Sequence, residues 1–513
     1  MIEGKNLIAG IWESQSDSIK FKTVNPKTQQ ELAVDFQQAT PDQISRAVEA
    51  ASASFPQVSE LTFSDRIRFL ECIVEELESI QPELIATYQL ESALPEGRAN
   101  GEFQRTVDQI SRFVEILKKG TFVKATLHTT GPDIRKMLAP LGPIVVFGAS
   151  NFPLAFSTAG GDTISAFAAA CPVIVKAHPY HAGTSELVAQ AISKAVTRCD
   201  LPHGIFSHLG GQSHDIGGQL VSHPAVKGVG FTGSFAGGKA LYDLAQQREQ
   251  PIPVFAEMGS INPIFITESK LQSDGALAEA IAQSVTLGTG QFCTNPGLIV
   301  ACDPSGQFDL AQKISDSIRD LELPPMVHSN IQAQYDKQLF GLQGNDKLDT
   351  FFKSETCAAA IGSVSAATFL SDSSLKEEVF GPFTLVVVCN SSEELLAVAG
   401  ALEGQLTATV LGESSDATIL KSLLSQLKSK AGRILFQGVP TGVAVTEAMQ
   451  HGGPFPATTD SRFTSVGTDA IYRWLRPVAF QDCPNALLPD ALKDENPLNL
   501  LRTVNGEFTT AAL

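Results

Sequence analysis

Cysteine pairs and an excess of positive charge are both missing from this chain of 513 residues. The eight cysteines are scattered and no two form a CxxC pair, which argues against a zinc site and against a disulfide scaffold. The 37 lysines and arginines are outnumbered by 55 aspartates and glutamates, and a net charge of -18 is the opposite of what nucleic-acid binding needs. These absences favour a soluble, cytoplasmic protein with neither a metal nor a nucleic-acid partner.

Long apolar runs are missing as well. The first residues, Met1 to Asn6, lack the basic and apolar regions of a secretory signal. The least charged stretch, 142–175, contains Asp162 and three prolines, which is typical of a buried α/β core and not of a membrane span. The length and a hydrophobic content of 43% therefore predict two or three domains and no membrane partner.

From residue 141 onward, short apolar strands alternate with helices. Strands are predicted at 144–147, 173–176, 204–209 and 226–232, with helices at 157–170, 184–196 and 237–248. This alternation predicts a parallel sheet that is covered on both faces and binds its ligand at the carboxyl ends of the strands. Earlier helices are predicted at 41–53, 64–80, 82–91 and 97–118.

A second α/β region follows, with strands predicted at 264–266, 298–301, 383–388, 407–411 and 433–436. We therefore predict an α/β fold with a Rossmann-like cofactor-binding domain, a second α/β catalytic domain and the active cleft between them. Residues 120–134 alternate like a strand and predict a bridging arm that must be covered, hence a homodimer or a larger oligomer. The predicted boundaries are 1–118 and 139–258 for the cofactor-binding domain, 259–470 for the catalytic domain, and 119–138 and 471–513 for the bridging segments.

One cysteine stands between two glycine-rich turns in the stretch 288–297. Glycines permit tight turns and a close approach of ligand to backbone, so Cys293 is a candidate nucleophile at the mouth of a cleft. A free cysteine thiol has a pKa of about 8.5, so a neighbouring base or cation is needed to raise the thiolate fraction at neutral pH. The alternative is a cysteine that packs in the core as a small hydrophobe.

Two polar residues at strand ends are candidates for the same chemistry. Glu257 ends an apolar strand, where burial would raise the pKa of its carboxyl group into the range of a general base. Asn151 lies at a strand-to-helix turn, and its amide is a candidate donor to an oxyanion. A solvated acid and an asparagine that only forms a turn are the alternatives.

A further set of residues is typical of a phosphate- and ribose-binding edge. Gly233, Ser234 and Gly238 lie where an apolar strand turns into a helix, and backbone N–H groups at a helix start bind anions. Lys176 ends the strand 173–176, from which a lysine reaches a phosphate or ribose hydroxyls. An ordinary exposed lysine and a glycine-rich turn without a ligand are the alternatives.

Six motifs, taken in chain order, resemble the aldehyde dehydrogenase superfamily, and the resemblance runs roughly from Asn6 to Pro484. They are Asn151-Phe152-Pro153, Lys176, Phe231-Thr232-Gly233-Ser234, Glu257-Met258-Gly259, Gly290-Gln291-Phe292-Cys293 and Glu378-Val379-Phe380-Gly381-Pro382. Glu257 precedes Cys293 by 36 positions (293 − 257), which suits the family. The resemblance implies the two-domain fold and NAD(P)-dependent oxidation of an aldehyde to a carboxylic acid.

The resemblance also implies a role for each candidate residue. Cys293 would attack the aldehyde to give a thiohemiacetal, and hydride transfer to the nicotinamide would leave a thioester. Asn151 and the backbone N–H of Cys293 would hold the oxyanion, while a mobile Glu257 would activate the hydrolytic water or take the thiol proton. Cofactor contacts are implied for Lys176 and Glu378 at the two riboses, for Gly233 and Ser234 at the pyrophosphate, and for the neighbouring Gly238 and Phe380.

The sequence departs from the family pattern in two places. Many members have a glutamate three residues after the strand-end lysine, where it binds the ribose 2′-hydroxyl, and here that residue is Pro179. Loss of the carboxylate removes repulsion against a 2′-phosphate, so NADP is favoured over NAD. The usual glycine-rich segment near the C-terminus is replaced by 451–467, in which His451 is a candidate to tune the sulfur; a turn-capping histidine is the alternative.

With this segment, the chain looks like both the 2-oxoglutarate semialdehyde dehydrogenases and the bacterial NADP-dependent fatty aldehyde dehydrogenases. A dicarbonyl acid needs a cation for its far carboxylate, and Arg98, Arg105 and Arg462 are the candidates. A fatty aldehyde needs a long apolar tunnel, for which the candidates are Phe152, Phe156, Phe292, Phe455 and Phe463.

The semialdehyde is the favoured substrate on resemblance. A catalytically silent relative that serves as a binding or structural protein is the alternative from another class. The retained pair of Cys293 and Glu257 argues against that alternative. The same glutamate argues against an acylating enzyme, because it is available to activate water.

Overall fold

Short strands and four long helices form the N-terminal part of the protein. The computed structural model describes residues 1–344 and 348–513. The strands are β1 (Asn6–Ile8), β2 (Ile11–Glu13), β3 (Lys20–Phe21), β4 (Val24–Asn25), β5 (Gln30–Glu31) and β6 (Phe36–Gln37). The helices are α1 (Pro41–Val58), α2 (Phe63–Ser79), α3 (Gln81–Ser92) and α4 (Glu96–Lys119). Thr40 and Thr62 cap α1 and α2 through reciprocal bonds with the third helical residue, and Gly120 ends α4 at a φ of 64°.

Five parallel strands form most of the first sheet. After β7 (Thr126–His128) and β8 (Ile134–Pro140), the chain forms β9 (Ile144–Phe147), β10 (Val173–Lys176), β11 (Phe206–Leu209), β12 (Gly228–Thr232) and β13 (Val254–Glu257). The strand order is β13-β12-β9-β10-β11-β1-β2, with β1 and β2 antiparallel at one edge. The helices that follow these strands are α5 (Gly161–Ala168), α6 (Ala182–Arg198), α7 (His214–Ser222) and α8 (Phe235–Gln246).

A second sheet of seven strands follows in the C-terminal half. Its strands are β14 (Ile264–Ile266), β15 (Leu298–Cys302), β16 (Thr350–Lys353), β17 (Ala360–Ser365), β18 (Phe383–Cys389), β19 (Gln405–Leu411) and β20 (Ala431–Phe436). They are ordered β16-β17-β18-β15-β14-β19-β20, and only β16 is antiparallel to its neighbour. Its helices are α9 (Glu268–Ser273), α10 (Leu277–Thr286), α11 (Leu310–Ile318), α12 (Ser329–Gln343), α13 (Ala366–Ser371), α14 (Ser392–Ala401) and α15 (Ala417–Leu427).

The last strands join β7 and β8 in a third sheet. They are β21 (Leu475–Gln481), β22 (Arg502–Val504) and β23 (Glu507–Thr509), and the order is β21-β8-β7-β22-β23. Short 3-10 helices complete the chain at Thr121–Val123, Pro179–His181, His203–Ile205, Leu287–Gly290, Ser373–Lys376, Ser414–Asp416, Thr468–Trp474, Asn485–Leu487 and Asp490–Leu492. The predicted segments 119–138 and 471–513 thus share one sheet, and their bridging role stays a prediction, as do the domain boundaries.

The predicted α/β class is confirmed by two large, mostly parallel sheets with helices between their strands. The central strands of both sheets are almost continuously buried and apolar, as expected for sheets covered on both faces. Among the described residues, no helix has both the length and the apolar character needed to cross a membrane.

Several predicted elements differ in extent from those observed, and four of them illustrate how. The strand predicted at 204–209 begins only at Phe206, because Gly204 packs against the Ala50 carbonyl within a 3-10 turn. The helix predicted at 157–170 begins at Gly161, after a turn closed by the Gly160 N–H and the Ser157 carbonyl. The strand-like segment 120–134 contains a 3-10 turn and left-handed residues, so β7 is only three residues long. Helix α1 continues beyond the predicted residue 53 and contains Pro56.

Candidate active site

The strand ends of the first sheet bring several candidate residues to one edge. Lys176 is paired in register with Phe147, and Phe147 with Phe231, across three parallel strands. Thr232 is paired with Glu257 on the neighbouring strand. The carboxyl ends of these strands therefore lie side by side, where open parallel sheets bind ligands.

Three consecutive left-handed residues lead the chain from α10 to Cys293. Gly288, Thr289 and Gly290 have φ values of 55°, 57° and 67°. A Cβ added at Gly290 would lie within 2.3 Å of the Gly381 backbone, so only glycine fits there. The close approach of these two turns seats the cysteine loop against the corner at 378–382.

A buried asparagine, which the sequence did not single out, holds the other side of this loop. The Asn262 amide donates to the Cys293 carbonyl at 2.8 Å and to the Asn295 carbonyl at 2.9 Å. Asn262 is fully buried and has a φ of 40°, a conformation that asparagine tolerates better than most residues. Its position before a proline and an apolar strand was the only available signal, and it indicated no more than a turn.

The Cys293 sulfur faces a cavity and has a histidine beside it. The residue is half-buried, and its Sγ lies 3.2 Å from Nε2 of His451. The cavity measures about 230 Å³ and is lined by Cys293 and by residues of α4. The structure thus brings His451 to the sulfur, across a separation of 158 residues in sequence.

His451 also contacts Glu257, so three reactive groups form one cluster. Nε2 of His451 lies 3.0 Å from Oε1 of Glu257, and reactive atoms of Cys293, His451 and Glu257 all lie within 4.8 Å of one another. The Ser465 hydroxyl donates to Oε2 of Glu257 at 2.5 Å. Thr464 accepts from the His451 backbone N–H at 2.9 Å, so the segment 464–465 positions both side chains.

The charge state of this cluster differs from the expectation for Glu257. Burial raises the pKa of the Glu257 carboxyl group, but the charge of His451 and the hydrogen bonds from His451, Ser465 and Cys293 together lower it more, and the net direction is downward. The prediction of a raised pKa for Glu257 is therefore wrong, because sequence could not reveal the cationic neighbour. For His451, burial lowers the pKa, whereas Glu257 and the sulfur raise it, and the net direction is upward. The buried pair is held as a carboxylate and an imidazolium.

Asn151 lies beside the loop that presents Cys293, and its side-chain amide forms one hydrogen bond with that loop. Its Nδ2 donates to the Gln291 carbonyl at 2.9 Å. An asparagine amide has two N–H donors, so one remains for a ligand oxygen. Gln291 is itself fixed by the Val327 N–H, which donates to its Oε1 at 3.0 Å.

Two arginines of α4 and three phenylalanines line the cavity in front of the sulfur. The Arg98 guanidinium stacks on Phe152 and Phe292, at 4.4 and 4.3 Å from their ring centroids. Arg105 lies 5.6 Å from the ring of Phe156 and donates to the Val443 carbonyl. Among the described residues, neither Arg98 Nη2 nor Arg105 Nε has a hydrogen-bond partner, although both atoms are buried. The cavity therefore holds guanidinium groups with donor capacity to spare.

The structure does not bring the other predicted substrate contacts to this cavity. Arg462 is exposed, with 79% of its side chain accessible, and pairs with Asp460 at 2.5 Å. Phe455 is largely exposed and packs on Phe235, while Phe463 packs on Phe255. These three residues therefore lie outside the cavity in front of the sulfur, although Phe463 shares a smaller pocket with His451 and Glu257.

The predicted ribose-binding residues are mostly buried and have few partners. Lys176 ends β10, and Glu378 lies in the turn before β18. The Lys176 ammonium donates to the Gly211 carbonyl at 2.6 Å, and burial lowers its pKa to about 8. Burial raises the pKa of the Glu378 carboxyl group to about 7, and the Ser260 N–H donates to its Oε1 at 3.3 Å. A Cβ at Gly259 would lie 2.5 Å from Oε2 of Glu378, so any larger residue at 259 would displace this carboxylate.

The residues predicted at the strand-to-helix turn differ in exposure: Gly233 and Ser234 are exposed, and Gly238 is buried. Ser234 caps α8 by accepting from the Gly237 N–H, and both Gly233 and Ser234 are exposed at the helix start. Gly238 lies inside α8, where a Cβ would meet Met258 at 2.6 Å, so it permits close packing of the helix on the strand. Phe380 is half-buried two residues after Glu378.

This edge fits a dinucleotide. The buried Lys176 has three N–H donors and one acceptor among the described residues. An exposed helix start offers unpaired backbone N–H groups to a pyrophosphate. Glu378 offers a carboxylate oxygen to ribose hydroxyls, and these three features suit the three polar parts of such a molecule.

Known proteins match this chain in sequence and in fold. The sequence pattern described as "Aldehyde dehydrogenase family" matches residues 12–320. "Alpha-ketoglutaric semialdehyde dehydrogenase 2" of Azospirillum brasilense is 44% identical, over 92% of this chain and 93% of that protein. "Alpha-ketoglutaric semialdehyde dehydrogenase" of Acinetobacter baylyi is 40% identical, over 99% of both chains.

Solved structures agree on the fold. A 1-pyrroline-5-carboxylate dehydrogenase from Thermus with bound NAD has a TM-score of 0.80 at 20% identity, and the match covers 94% of this chain and 93% of that one. Aldehyde dehydrogenase C of Pseudomonas syringae, solved with NAD+ and octanal, has a TM-score of 0.79 at 18% identity, with 93% and 96% covered. The family predicted from six ordered motifs is thereby confirmed, and this chain belongs to the aldehyde dehydrogenase family.

Proposed function

We propose that this NAD(P)-dependent aldehyde dehydrogenase oxidises 2-oxoglutarate semialdehyde to 2-oxoglutarate. The observation that carries the proposal is a single cavity of about 230 Å³, with a cysteine sulfur on one wall and two arginines on another. An aldehyde at the sulfur and a carboxylate at the guanidinium groups would occupy the cavity together. Two relatives with more than a third of their residues identical carry this substrate in their names.

Arg98 is oriented towards the cavity by Glu102, whose two carboxylate oxygens already accept hydrogen bonds from other groups. Oε1 of Glu102 accepts from the N–H groups of Leu154 and Ala155, and Oε2 accepts from the Tyr88 hydroxyl. Nε of Arg98 lies 3.5 Å from the same Oε2. The guanidinium is therefore oriented on its Nε side and keeps its Nη donors for a second acid, the planar arrangement that favours carboxylate recognition.

The alternative substrate, a long-chain fatty aldehyde, is less well suited to this cavity. Two cations line it, and an alkyl chain would have to bury them without compensation, which costs free energy. The apolar lining residues Phe152 and Phe292 are occupied in stacking on Arg98. Gly97 and Gly101 leave the helix side of the cavity open, since an added Cβ at either meets nothing within 4 Å.

The Cys293 sulfur is proposed to attack the aldehyde carbon. Its proton can pass to the Glu257 carboxylate, because the reactive atoms of Cys293, His451 and Glu257 are within 4.8 Å of one another, and the protonated His451 stabilises the sulfur as it loses the proton. The second N–H of Asn151 and the backbone N–H of Cys293 would stabilise the oxyanion, and one such donor is typically worth about 3 kcal/mol. Bound NAD(P)+ supplies the acceptor for the hydride that leaves the substrate carbon.

Hydrolysis of the resulting thioester requires a base that reaches the same carbon. Glu257 is proposed to take a proton from the attacking water, after it has released to solvent the proton that it took from the thiol, while His451 and Ser465 hold its carboxylate in place. Behind these residues lies a small pocket of about 20 Å³, which is space for one water molecule. The collapse of the tetrahedral adduct expels the Cys293 thiolate, which the neighbouring imidazolium stabilises.

NADP is the proposed preferred cofactor, with NAD also accepted. Pro179 follows the strand-end lysine by three residues and carries no charge, so a 2′-phosphate meets no carboxylate there. The buried Lys176 is a nearby cation. Steady-state kinetics with both cofactors at a fixed aldehyde concentration test this preference, and a higher kcat/KM with NAD would contradict it.

The substrate proposal predicts a charge-selective loss on Arg98→Gln. We expect kcat/KM for 2-oxoglutarate semialdehyde to fall about 10- to 100-fold, the usual cost of a charged hydrogen bond, mainly through KM. Pentanal, which lacks the far carboxylate, should lose little. Arg462→Gln is the matched control, because Arg462 is exposed and outside the cavity, and it should behave like the wild type. Equal losses on both aldehydes would rule out carboxylate recognition by Arg98.

A second prediction concerns Glu378 and the pH dependence of cofactor binding. Burial raises the pKa of Glu378 to about 7, so the ionised form that binds ribose hydroxyls best is lost as pH falls through that value. We expect the Kd for NADP+ to rise several-fold, about three- to tenfold, between about pH 8 and about pH 6. Titration of intrinsic fluorescence gives this Kd. Glu378→Gln should bind weakly at both pH values, and a pH effect that persists in this variant would refute the assignment.

The third sheet is proposed to join two or more copies of the chain. Its edge strands β21 and β23 leave backbone groups unpaired within the described chain, and Phe508 on β23 is 77% exposed. A homodimer or tetramer would cover these edges, and light scattering measures the mass directly. A cytoplasmic location is also proposed, because all eight cysteines are free thiols.

A further inference from the structure

We propose that Arg112, Arg105 and Arg98 form a cationic access path along one face of α4, which leads an anionic aldehyde from the surface to Cys293. The proposal rests on the proposed function, because it needs a substrate with a carboxylate. Arg98 and Arg105 line the inner cavity, whereas Arg112 lies at the outer end and has no role in the scheme above. The path thus assigns Arg112 a role in substrate selection.

The spacing of the three arginines puts them on one side of the helix. They follow one another at intervals of seven residues (105 − 98 and 112 − 105) within Glu96–Lys119. Seven residues make nearly two complete helical turns, so successive side chains are about 20° apart around the axis and about 10 Å apart along it. The three guanidinium groups therefore form a row that leads outward from the sulfur.

Two cavities lie along this row and share a lining residue. The inner one, of about 230 Å³, is lined by Arg98, Arg105 and Cys293 among others. An outer one, of about 370 Å³, is lined by Arg105, Asp108, Ser111, Arg112 and Val445. Arg105 belongs to both linings, so it marks the place where the outer cavity meets the inner one.

The opposite wall of the path is the segment 442–447. The Val443 carbonyl accepts from Arg105 Nη1, and Gly442 and Val443 also line the inner cavity. Further out, Glu447 lies 3.9 Å from the Lys119 ammonium at the end of α4. The segment is thus held to the helix at two points, and the space between them remains open.

The charge along the path contrasts with that of the whole protein. The chain has a net charge of -18, so most of its surface repels an anion. Arg112 is exposed and has no salt bridge among the described residues. Asp108 is an acid in the lining of the outer cavity, and its Oδ1 accepts from Gln104 at 2.8 Å. The three arginines and Lys119 outnumber the acids Glu102, Asp108 and Glu447 by one charge, so the path has a net positive charge.

Arg112 should act on capture and not on chemistry. A cation at the mouth raises the local concentration of an anion and its rate of association, an effect that weakens as salt screens the charge. It should therefore change kcat/KM and leave kcat alone. A residue that only supported the helix would show no dependence on the charge of the substrate or on salt.

The experiment measures kcat/KM for 2-oxoglutarate semialdehyde and for pentanal with wild type, Arg112→Gln, Arg112→Glu and Arg112→Lys. At about 0.01 M salt, where the Debye length is about 30 Å, Arg112→Gln should reduce kcat/KM for the acid about two- to fivefold, and Arg112→Glu more. The difference should shrink at about 0.15 M salt, where the Debye length is about 8 Å. Arg112→Lys should restore the wild-type value, and pentanal should respond to none of these changes.

Lys118→Gln is the matched control, since it removes one charge from the exposed surface of the same helix outside both cavities. It should leave kcat/KM unchanged at both salt concentrations. If Arg98→Gln discriminates between the aldehydes but Arg112→Gln behaves like wild type at low salt, the access path is wrong and the proposed substrate stands. If wild type itself does not prefer the acid to pentanal, the substrate proposal and the path are both overturned.

Discussion

Replacement of Cys293 by alanine is expected to abolish NAD(P)-dependent aldehyde oxidation, with a loss in kcat of at least about 10⁴-fold. The physical reason is that hydride can leave the substrate carbon only from a tetrahedral adduct, and the sulfur is the group that forms this adduct. Release of reduced cofactor, followed by its absorbance, measures the effect.

The protein should remain folded and should still bind cofactor. The sulfur is half-buried at a cavity wall, so its removal leaves no closed void in the core. Cys483→Ala is the matched control, because Cys483 is another half-buried thiol, near the C-terminus. Retention of even a tenth of the activity in Cys293→Ala, with thermal stability unchanged, would exclude this cysteine as the nucleophile.

The second large effect is expected from His451→Asn, which removes the cation between the sulfur and Glu257. Burial lowers the pKa of His451, but Glu257 and the sulfur raise it more, so the ring stays protonated at neutral pH and places a positive charge 3.2 Å from the sulfur. Without it, we expect alkylation of Cys293 by iodoacetamide at about pH 6.5 to slow about 10- to 100-fold. Raising the pH should restore much of the rate, since hydroxide then removes the thiol proton.

The same variant should change stability in a defined pH window. The raised pKa of His451 contributes stability that is complete below its ordinary value of about 6.5 and is lost as pH rises through the folded value. The lowered pKa of Glu257 contributes stability above its ordinary value of about 4.5, which is lost as pH falls through the folded value. Wild type should therefore exceed His451→Asn most between about pH 4.5 and 6.5, by about 3 kcal/mol.

His328→Gln is the control for these measurements. His328 is a half-buried histidine that stacks on Tyr180 at 3.6 Å and does not contact the sulfur. It should leave both the alkylation rate and its pH dependence unchanged. A His451→Asn protein that is alkylated at the wild-type rate at about pH 6.5 would show that the imidazolium does not stabilise the thiolate.

The loop that presents Cys293 shows where local reading of the sequence succeeds. Glycines at 288 and 290 predict a tight turn, and the structure has three left-handed residues there. Strand ends could also be predicted, because a run of apolar residues followed by Lys176 or Glu257 is a local pattern. The helices predicted from residues 41 and 64 begin at Pro41 and Phe63, where Thr40 and Thr62 cap them by bonds within three residues.

Contacts between segments that are distant in sequence could not be predicted from such local patterns. Arg98, Arg105 and Arg462 were equal candidates for a carboxylate, and two of them line the cavity while the third lies on the surface. Asn262 drew no attention, although its amide fixes the Cys293 carbonyl. The positions of the arginines and of Asn262 relative to Cys293 depend on which segments fold against one another, and that depends on the packing of whole sheets and helices.

The sequence by itself determined the α/β class, the family and the identity of the cysteine, glutamate and asparagine at the candidate site. These are encoded in short motifs whose order along the chain is directly visible. Only the tertiary structure decided that His451 stands between Cys293 and Glu257 and lowers the pKa of that carboxyl group. The reason is physical: a pKa depends on the charges within a few ångströms, and a chain separation of 158 residues to Cys293 or 194 (451 − 257) to Glu257 says nothing about such a distance.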